Sequence, residues 1–170
     1  MMAWPPADSL AVAVLGLVTL QRLAELVLAR RNTRRLLERG GYEVAAMHYP
    51  LIVGLHTAWL TGLWLLAFDR APELMWLTIY GVLQAGRLWV LLTLGRRWTT
   101  RIIVLPDAPL VASGPYRFAR HPNYWVVVGE ILVLPLVFGL VWYAAAFSLA
   151  NAGVLAVRIA AENKALGRPG

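Results

Sequence analysis

The sequence predicts an all-α membrane protein with five transmembrane helices, the last two forming a helical hairpin, the N-terminus outside and the C-terminus cytoplasmic. Hydrophobic residues make up 59% of the 170 residues, charged residues only 15%, and the mean hydropathy is +0.61. Arginine-rich connections also alternate with nearly neutral ones. Four apolar stretches cover residues 9–29, 49–68, 74–94 and 124–157. We therefore expect a single integral-membrane domain over residues 1–170.

The first three apolar stretches have the length of one membrane span each, since about 20 helical residues cross a hydrocarbon core of roughly 30 Å. The fourth stretch, residues 124–157, would reach about 51 Å as one helix at about 1.5 Å per residue. Pro135 and Gly139 lie near its middle and favour a turn. The pattern predicts two helices, near residues 124–134 and 140–162, of which the first is short for a full crossing.

The arginines determine the expected orientation. The first and third connections carry Arg30, Arg31, Arg34, Arg35 and Arg39, and then Arg96, Arg97, Arg101, Arg117 and Arg120. The second connection has only Arg70. Under the positive-inside rule, five crossings place both basic connections and the C-terminal end inside.

Topology and contact with anionic lipid headgroups also account for the net charge of +7, so we expect membrane lipids and not nucleic acid as partners. The absence of cysteine excludes disulfides, thiolate metal sites and a thiol nucleophile, and we expect no metal site.

Several predicted spans contain charged or titratable residues. Arg22 and Glu25 are three residues apart on one helix face, which predicts either a local ion pair or a shared polar cavity. Charges inside a membrane usually face the protein interior or a cavity. We expect Arg87 and Glu130 to pair, in a packing role or beside a substrate. His56 fits a packing role or a functional one, so His56, Arg87 and Glu130 are candidate substrate-binding residues.

Residues 95–123 are too many for a simple turn between two spans. Residues 102–105 are apolar and mostly β-branched, and predict an extended strand or a segment lying against the membrane. Gly114-Pro115 favours a turn, and Pro122 suits the first turn of a helix. The free N–H groups of that turn can receive an anionic group. In the first connection, residues 34–39 predict a short interfacial helix.

The motifs of the second half resemble the isoprenylcysteine carboxyl methyltransferase family. They are Gly114-Pro115-Tyr116, Arg120-His121-Pro122-Asn123-Tyr124, and then Arg158 and Glu162 on the last helix. That family comprises integral-membrane methyltransferases that use S-adenosylmethionine. The first half is similar to a bacterial branch associated with O-methylation of alkylpyrones and related lipids. In one departure, Asn163 follows Glu162 where the family often has consecutive acids.

The resemblance implies a cofactor site mainly within residues 95–166. The implied contacts of S-adenosylmethionine are Leu110, Val111, Tyr116, His121, Pro122, Asn123, Tyr124 and Glu162. Arg158 is the implied catalytic and substrate-binding residue, facing the substrate oxygen. Since Arg158 and Glu162 are four residues apart, one helical face presents both.

The implied activity is O-methylation of a lipophilic carboxylate or acidic hydroxyl, isoprenylcysteine-like or alkylpyrone-like, that enters from the bilayer. An ionised acid needs no general base, whereas a phenol needs one, for which His56, His48 and Glu130 are candidates. Two alternatives stay open: a phospholipid N-methyltransferase, and a non-enzymatic membrane subunit or small transporter. The expected location is the bacterial inner membrane, multi-pass, with the active site on the cytoplasmic side. The sequence leaves the oligomeric state undefined.

Overall fold

Long helices and one short β-ribbon make up the fold. The computed structural model describes residues 7–106 and 108–165, apart from the side chains of Ala7, Asp8 and His48. His48, a candidate base, thus lies outside the described side chains. The elements are α1 (Ala7–Glu38), β1 (Tyr42–Val44), α2 (Tyr49–Ala67), α3 (Leu74–Leu94), β2 (Ile102–Val104), α4 (Pro122–Val137) and α5 (Val141–Ala165). The predicted helical class is confirmed.

Helices α1, α2, α3 and α5 are long and apolar enough to cross a membrane. Their outward faces carry large apolar side chains, and Leu65 on α2 and Leu149 on α5 are 71% and 78% exposed. Exposed apolar surface on this scale favours a hydrocarbon surrounding over water. The protein is therefore a membrane protein.

Helix α4 is the exception among the apolar helices. It has 16 residues, which extend about 24 Å at 1.5 Å per residue. That length falls short of a hydrocarbon core of roughly 30 Å. The structure thus shows four helices of spanning length within the described residues, and the predicted count of five crossings is not confirmed.

The turn between α4 and α5 lies later than predicted. Helix α4 continues through Pro135 to Val137, because a proline in the last turn interrupts only one helical hydrogen bond. Gly139 takes the turn conformation with φ +69°, and Leu140 N–H closes the turn on the Pro135 carbonyl at 3.0 Å. The predicted break at Pro135 was wrong, and the break at Gly139 is confirmed.

Residues 34–39 do not form a separate interfacial helix, which corrects the prediction. Helix α1 runs unbroken from Ala7 to Glu38, since neither glycine nor proline occurs between Gly16 and Gly40. Gly40 then takes φ +88° and ends the helix. The basic end of α1 therefore projects beyond its apolar part as one rigid element.

The predicted strand at residues 102–105 is confirmed as β2. It pairs antiparallel with β1, with Tyr42 opposite Val104 and Val44 opposite Ile102. The ribbon joins the connection after α1 to the connection after α3. It therefore brings residues that are far apart in sequence to the same end of the helices.

Four charged residues, of which Glu25, Arg87 and Glu130 are buried and Arg22 is partly buried, form a closed ring between α1, α3 and α4. Arg87 donates to Glu25 through Nε at 2.6 Å and to Glu130 through Nη1 at 2.7 Å. Arg22 donates to Glu130 at 2.9 Å and lies 3.6 Å from Glu25. Both predicted pairs, Arg22–Glu25 and Arg87–Glu130, are confirmed, but each arginine contacts both carboxylates.

Two glutamines also donate hydrogen bonds to this ion ring. Gln21 donates to Glu25 at 3.0 Å and Gln84 donates to Glu130 at 2.7 Å. Glu130 is only 1% exposed. Because an unpaired charge at such a position is costly, the ring favours a single register of α1, α3 and α4.

Neutralising Glu130 tests the importance of the ion ring. Glu130→Gln leaves Arg22 and Arg87 sharing Glu25 alone, and breaking a buried ion pair costs about 3–5 kcal/mol. We expect a clearly lower thermal unfolding temperature in detergent. The matched control is Glu38→Gln, which removes a surface pair with Arg34 and should leave the temperature unchanged. Equal shifts in the two variants would contradict a structural role for the ring.

Candidate active site

A cavity of about 230 Å³ lies where β2, the connection after it, the start of α4 and the end of α5 meet. Ile102 and Leu105 give it an apolar side. Polar, charged and aromatic side chains from α4 and α5 also line it. The cavity therefore combines an apolar wall with groups that bind charge.

The structure brings most of the residues suggested by the resemblance to this cavity. Its lining includes Leu110, Val111, Tyr116, His121, Asn123, Tyr124, Arg158 and Glu162. Pro122 does not line the cavity but is buried in the first turn of α4. The motif residues, which come from two helices and one connection, thus share a single site.

Tyr124 links the two candidate residues on α5. Its hydroxyl donates a hydrogen bond to Glu162 and accepts one from Nε of Arg158 at 2.8 Å. The Arg158 guanidinium carbon also lies 5.8 Å from the centre of the Tyr124 ring. This contact, which we call the Tyr124 clamp, holds the start of α4 against the end of α5.

His121 occupies the N-cap position of α4 and packs against the clamp. Its ring stacks on Tyr124 with 5.3 Å between centroids. Its Nδ1 lies 3.7 Å from a Glu162 oxygen, and its Nε2 lies 3.3 Å from Oδ1 of Asn163. Asn163, the departure from the acidic pair of the family, is therefore a hydrogen-bonding partner of the motif histidine.

Among the described residues, one hydrogen-bond acceptor of the cavity lining has no donor and one cation of the lining has no carboxylate partner. The Oδ1 atom of Asn123 is buried and accepts no hydrogen bond. No described carboxylate lies within ion-pairing distance of Arg158, whose guanidinium contacts the Tyr124 hydroxyl instead. The site thus offers one free acceptor and one cation without a counter-charge.

A tight turn places Tyr116 in the cavity. Gly114 has φ +56°, and a Cβ atom there would lie 2.4 Å from Oγ1 of Thr93, so only glycine fits. Burial raises the pKa of Tyr116 to about 12, and the negative charge of Glu162 acts in the same direction. The Tyr116 phenol therefore remains a neutral hydrogen-bonding group at physiological pH.

The cavity lining also includes residues that the resemblance did not name. They are Leu36 of α1, Trp98, residues 102–105 at β2, and Arg97, Arg101 and Arg120. The β-branched run of β2 was visible in the sequence, but its partner strand was not. Arg101 pairs with Glu43 of β1 at 2.8 Å, and this hydrogen bond raises the pKa of Arg101. That long-range ion pair joins the two sides of the ribbon.

Three other candidates lie outside the cavity lining. Arg87 and Glu130 belong to the ion ring, where their charges are already paired. His56 hydrogen-bonds through Nδ1 to the Ile52 carbonyl of its own helix at 2.9 Å. Binding of substrate by these residues stays a prediction, and for Arg87 and Glu130 it would require the ring to open.

Residues 76–168 of the chain match the sequence pattern of the isoprenylcysteine carboxyl methyltransferase (ICMT) family. The chain belongs to this family. Its members are methyltransferases, and the predicted resemblance is confirmed. Apart from Leu36, all the residues that line the cavity lie within the matched part of this ICMT-family protein.

Two relatives match most of the chain, and their names give neither a family nor a substrate. The chain is 39% identical over 158 residues to "Uncharacterized protein YpbQ" of Bacillus subtilis (strain 168), covering 90% of this chain and 94% of that protein. It is 24% identical over 158 residues to an "Uncharacterized protein" of Haemophilus influenzae, covering 85% and 88%. No solved structure matches the chain. The acceptor must therefore be inferred from the chemistry of the site.

Titration of Tyr116 tests the geometry of the site in this ICMT-family protein. The raised pKa favours the protonated phenol in the folded state, so its contribution to stability is present below pH 10.0 and is lost as the pH rises towards about 12. Phenolate absorbance, taken as the difference between wild type and Tyr116→Phe, should show this late ionisation. Glu162→Gln should lower the Tyr116 pKa, because it removes a nearby negative charge. Ionisation near pH 10.0 in the folded wild type would contradict the placement of Tyr116.

Proposed function

We propose that this protein is an S-adenosylmethionine-dependent O-methyltransferase that acts on a lipophilic carboxylate or acidic hydroxyl. The observation that carries the proposal is the Tyr124 clamp, which holds Arg158 and Glu162 together at the wall of one cavity. Arg158 is suited to an anionic acceptor and Glu162 to a cationic donor. A family of methyltransferases supplies the reaction class.

The residues of the cavity fit S-adenosylmethionine. The Glu162 carboxylate and the aromatic rings of Tyr116 and Tyr124 suit the cationic parts of the molecule. The buried Oδ1 of Asn123 lacks a donor among the described residues and suits an amine or a ribose hydroxyl. Arg120, which also lines the cavity, suits the carboxylate.

Arg158 is the group best placed to hold the methyl acceptor. Its Nε is engaged by Tyr124, which orients the guanidinium while leaving its remaining N–H groups without a described carboxylate partner. Those N–H groups can bind a carboxylate or enolate oxygen as charge-assisted hydrogen bonds. A substrate of this acidity arrives ionised, so the site needs no general base.

When bound, S-adenosylmethionine supplies a methyl group that is activated by its positive sulfur. The chain's own contribution is alignment and exclusion of water. Arg158 sets the position of the acceptor oxygen, and the Tyr124 clamp fixes Arg158 relative to α4. Ile102 and Leu105 line the cavity with apolar surface, which favours a reaction in which opposite charges are neutralised.

The two alternatives fit the site less well. An amine acceptor, as in phospholipid N-methylation, would be repelled by Arg158 once protonated, and the neighbouring carboxylate, Glu162, is assigned to the cationic donor. A non-enzymatic subunit or small transporter would not require the lining residues of a methyltransferase family to converge on one cavity. We therefore favour the O-methyltransferase.

Binding of S-adenosylmethionine can be measured by calorimetry on the purified protein. Glu162→Gln should weaken binding about 10-fold or more, because it removes a charged hydrogen-bonding group. Lys164→Ala, an exposed change two residues away on the same helix, should leave the affinity unchanged. Arg158→Leu should retain cofactor binding but lose methyl transfer to a lipid extract. Unaltered binding in Glu162→Gln would refute the cofactor site.

We further propose five crossings in a bacterial inner membrane, with the N-terminus outside and the cavity at the cytoplasmic side. Arg120 and Arg158, at the cavity, lie at the same ends of the helices as the basic connections. This arrangement follows the positive-inside rule. A water-soluble donor then reaches the cavity from the cytoplasm, and a lipophilic acceptor reaches it from the bilayer.

Single cysteines can test this orientation, because the sequence contains none of its own. In intact cells, an impermeant maleimide should label Arg70→Cys and leave Arg35→Cys and Arg117→Cys unlabelled. All three should react after lysis, which controls for accessibility. Labelling of position 35 or 117 in intact cells would reverse the proposed orientation.

A further inference from the structure

A second, more open cleft of about 610 Å³ lies beside the cavity. The segment that contains Leu110 and Val111 lines both spaces, as does Arg97. The cleft also has lining residues of its own, including Arg39 after α1 and Arg96 after α3. We call it the arginine cleft. It is distinct from the proposed cofactor site, although the two share a wall.

The arginines of this cleft come from two connections that a buried asparagine holds together. Asn32 of α1 is 1% exposed, and its side-chain amide donates to the carbonyls of Gly95 and Trp98 at 3.1 and 2.9 Å. These carbonyls flank Arg96 and Arg97, so the turn after α3 is fixed against α1. The convergence of the arginines is therefore built into the packing.

The arginine cleft lacks a counter-charge among the described residues. No described carboxylate lies within ion-pairing distance of Arg39 or Arg96, whereas Arg34 pairs with Glu38 and Arg101 pairs with Glu43. Guanidinium groups held around one cleft repel each other unless an anion lies between them. A phosphate group accepts several N–H donors at once and suits such a site.

The remaining lining of the arginine cleft is largely apolar. Leu36, Leu94 and Leu110 line both the cleft and the cavity, and Leu110 is 53% exposed. Free phosphate would gain nothing from this surface, whereas an amphiphile would cover it with its hydrocarbon. The cleft also lies at the basic ends of helices that are long enough to cross a membrane.

We propose that the arginine cleft binds the headgroup phosphate of an anionic phospholipid, with the lipid's hydrocarbon against Leu36, Leu94 and Leu110. The site does not depend on the proposed methyl transfer, because Arg39 and Arg96 do not line the cofactor cavity. It places a membrane lipid next to the segment of Leu110 and Val111, which forms the wall shared with that cavity.

The test is native mass spectrometry of the full chain in a neutral detergent, titrated with phosphatidylglycerol or phosphatidylcholine. The wild type should prefer phosphatidylglycerol. Arg39→Gln/Arg96→Gln should weaken phosphatidylglycerol binding about 10-fold or more and leave phosphatidylcholine unchanged. Arg96→Gln alone should lose part of the preference.

The matched control is Arg30→Gln/Arg31→Gln, which removes the same charge from exposed positions of α1 outside the cleft. This control should keep the wild-type preference. Equal losses in the two double variants would show a general charge effect and overturn the site. Displacement of phosphatidylglycerol by glycerol phosphate at equal concentration would overturn the lipid assignment. Unchanged binding of S-adenosylmethionine in the cleft variant would show that the two sites are separate.

Discussion

Two arginines and two glutamates close an ion ring inside a protein whose outer faces are apolar. Each arginine contacts both carboxylates, so the charges of α1, α3 and α4 are compensated in only one helix register. Glu130 of this ring lies on α4 about two turns after its start. The ring therefore also sets the position of the His121 motif, although it contributes no residue to the cavity.

The Tyr124 clamp then fixes the end of α5 relative to the start of α4. Its hydroxyl connects the motif at the start of α4 to Arg158 and Glu162, while residues of β2 also line the cavity. Apolar and charged side chains thus line the same cavity near the helix ends. This arrangement suits a reaction between a lipophilic anion and a water-soluble cationic donor, because the hydrocarbon of the acceptor can contact apolar residues and the charged groups can contact residues of opposite charge. The arginine cleft adds a place for a membrane lipid next to this cavity.

Local signals predicted some elements well and others incorrectly. Gly139 favours a turn and the β-branched residues of β2 favour a strand because of their own backbone preferences, and both predictions were confirmed. Helix α4 runs three residues past its predicted end at residue 134, because Pro135 removes only its own helical hydrogen bond near the end of the helix. The cavity side formed by the ribbon was missed, since the pairing of Glu43 with Ile103 joins segments with two helices between them.

By itself the sequence determined the membrane class, the approximate helices and the family motifs, because hydropathy, charge placement and short motifs are properties of neighbouring residues. It also indicated the Arg22–Glu25 and Arg87–Glu130 pairs, since intramembrane charges need partners. Only the tertiary structure decided that these pairs form one ring, that Tyr124 holds both Arg158 and Glu162, and that His56 lies outside the cavity lining. Those facts depend on distances between helices, which are set by the packing of the whole chain.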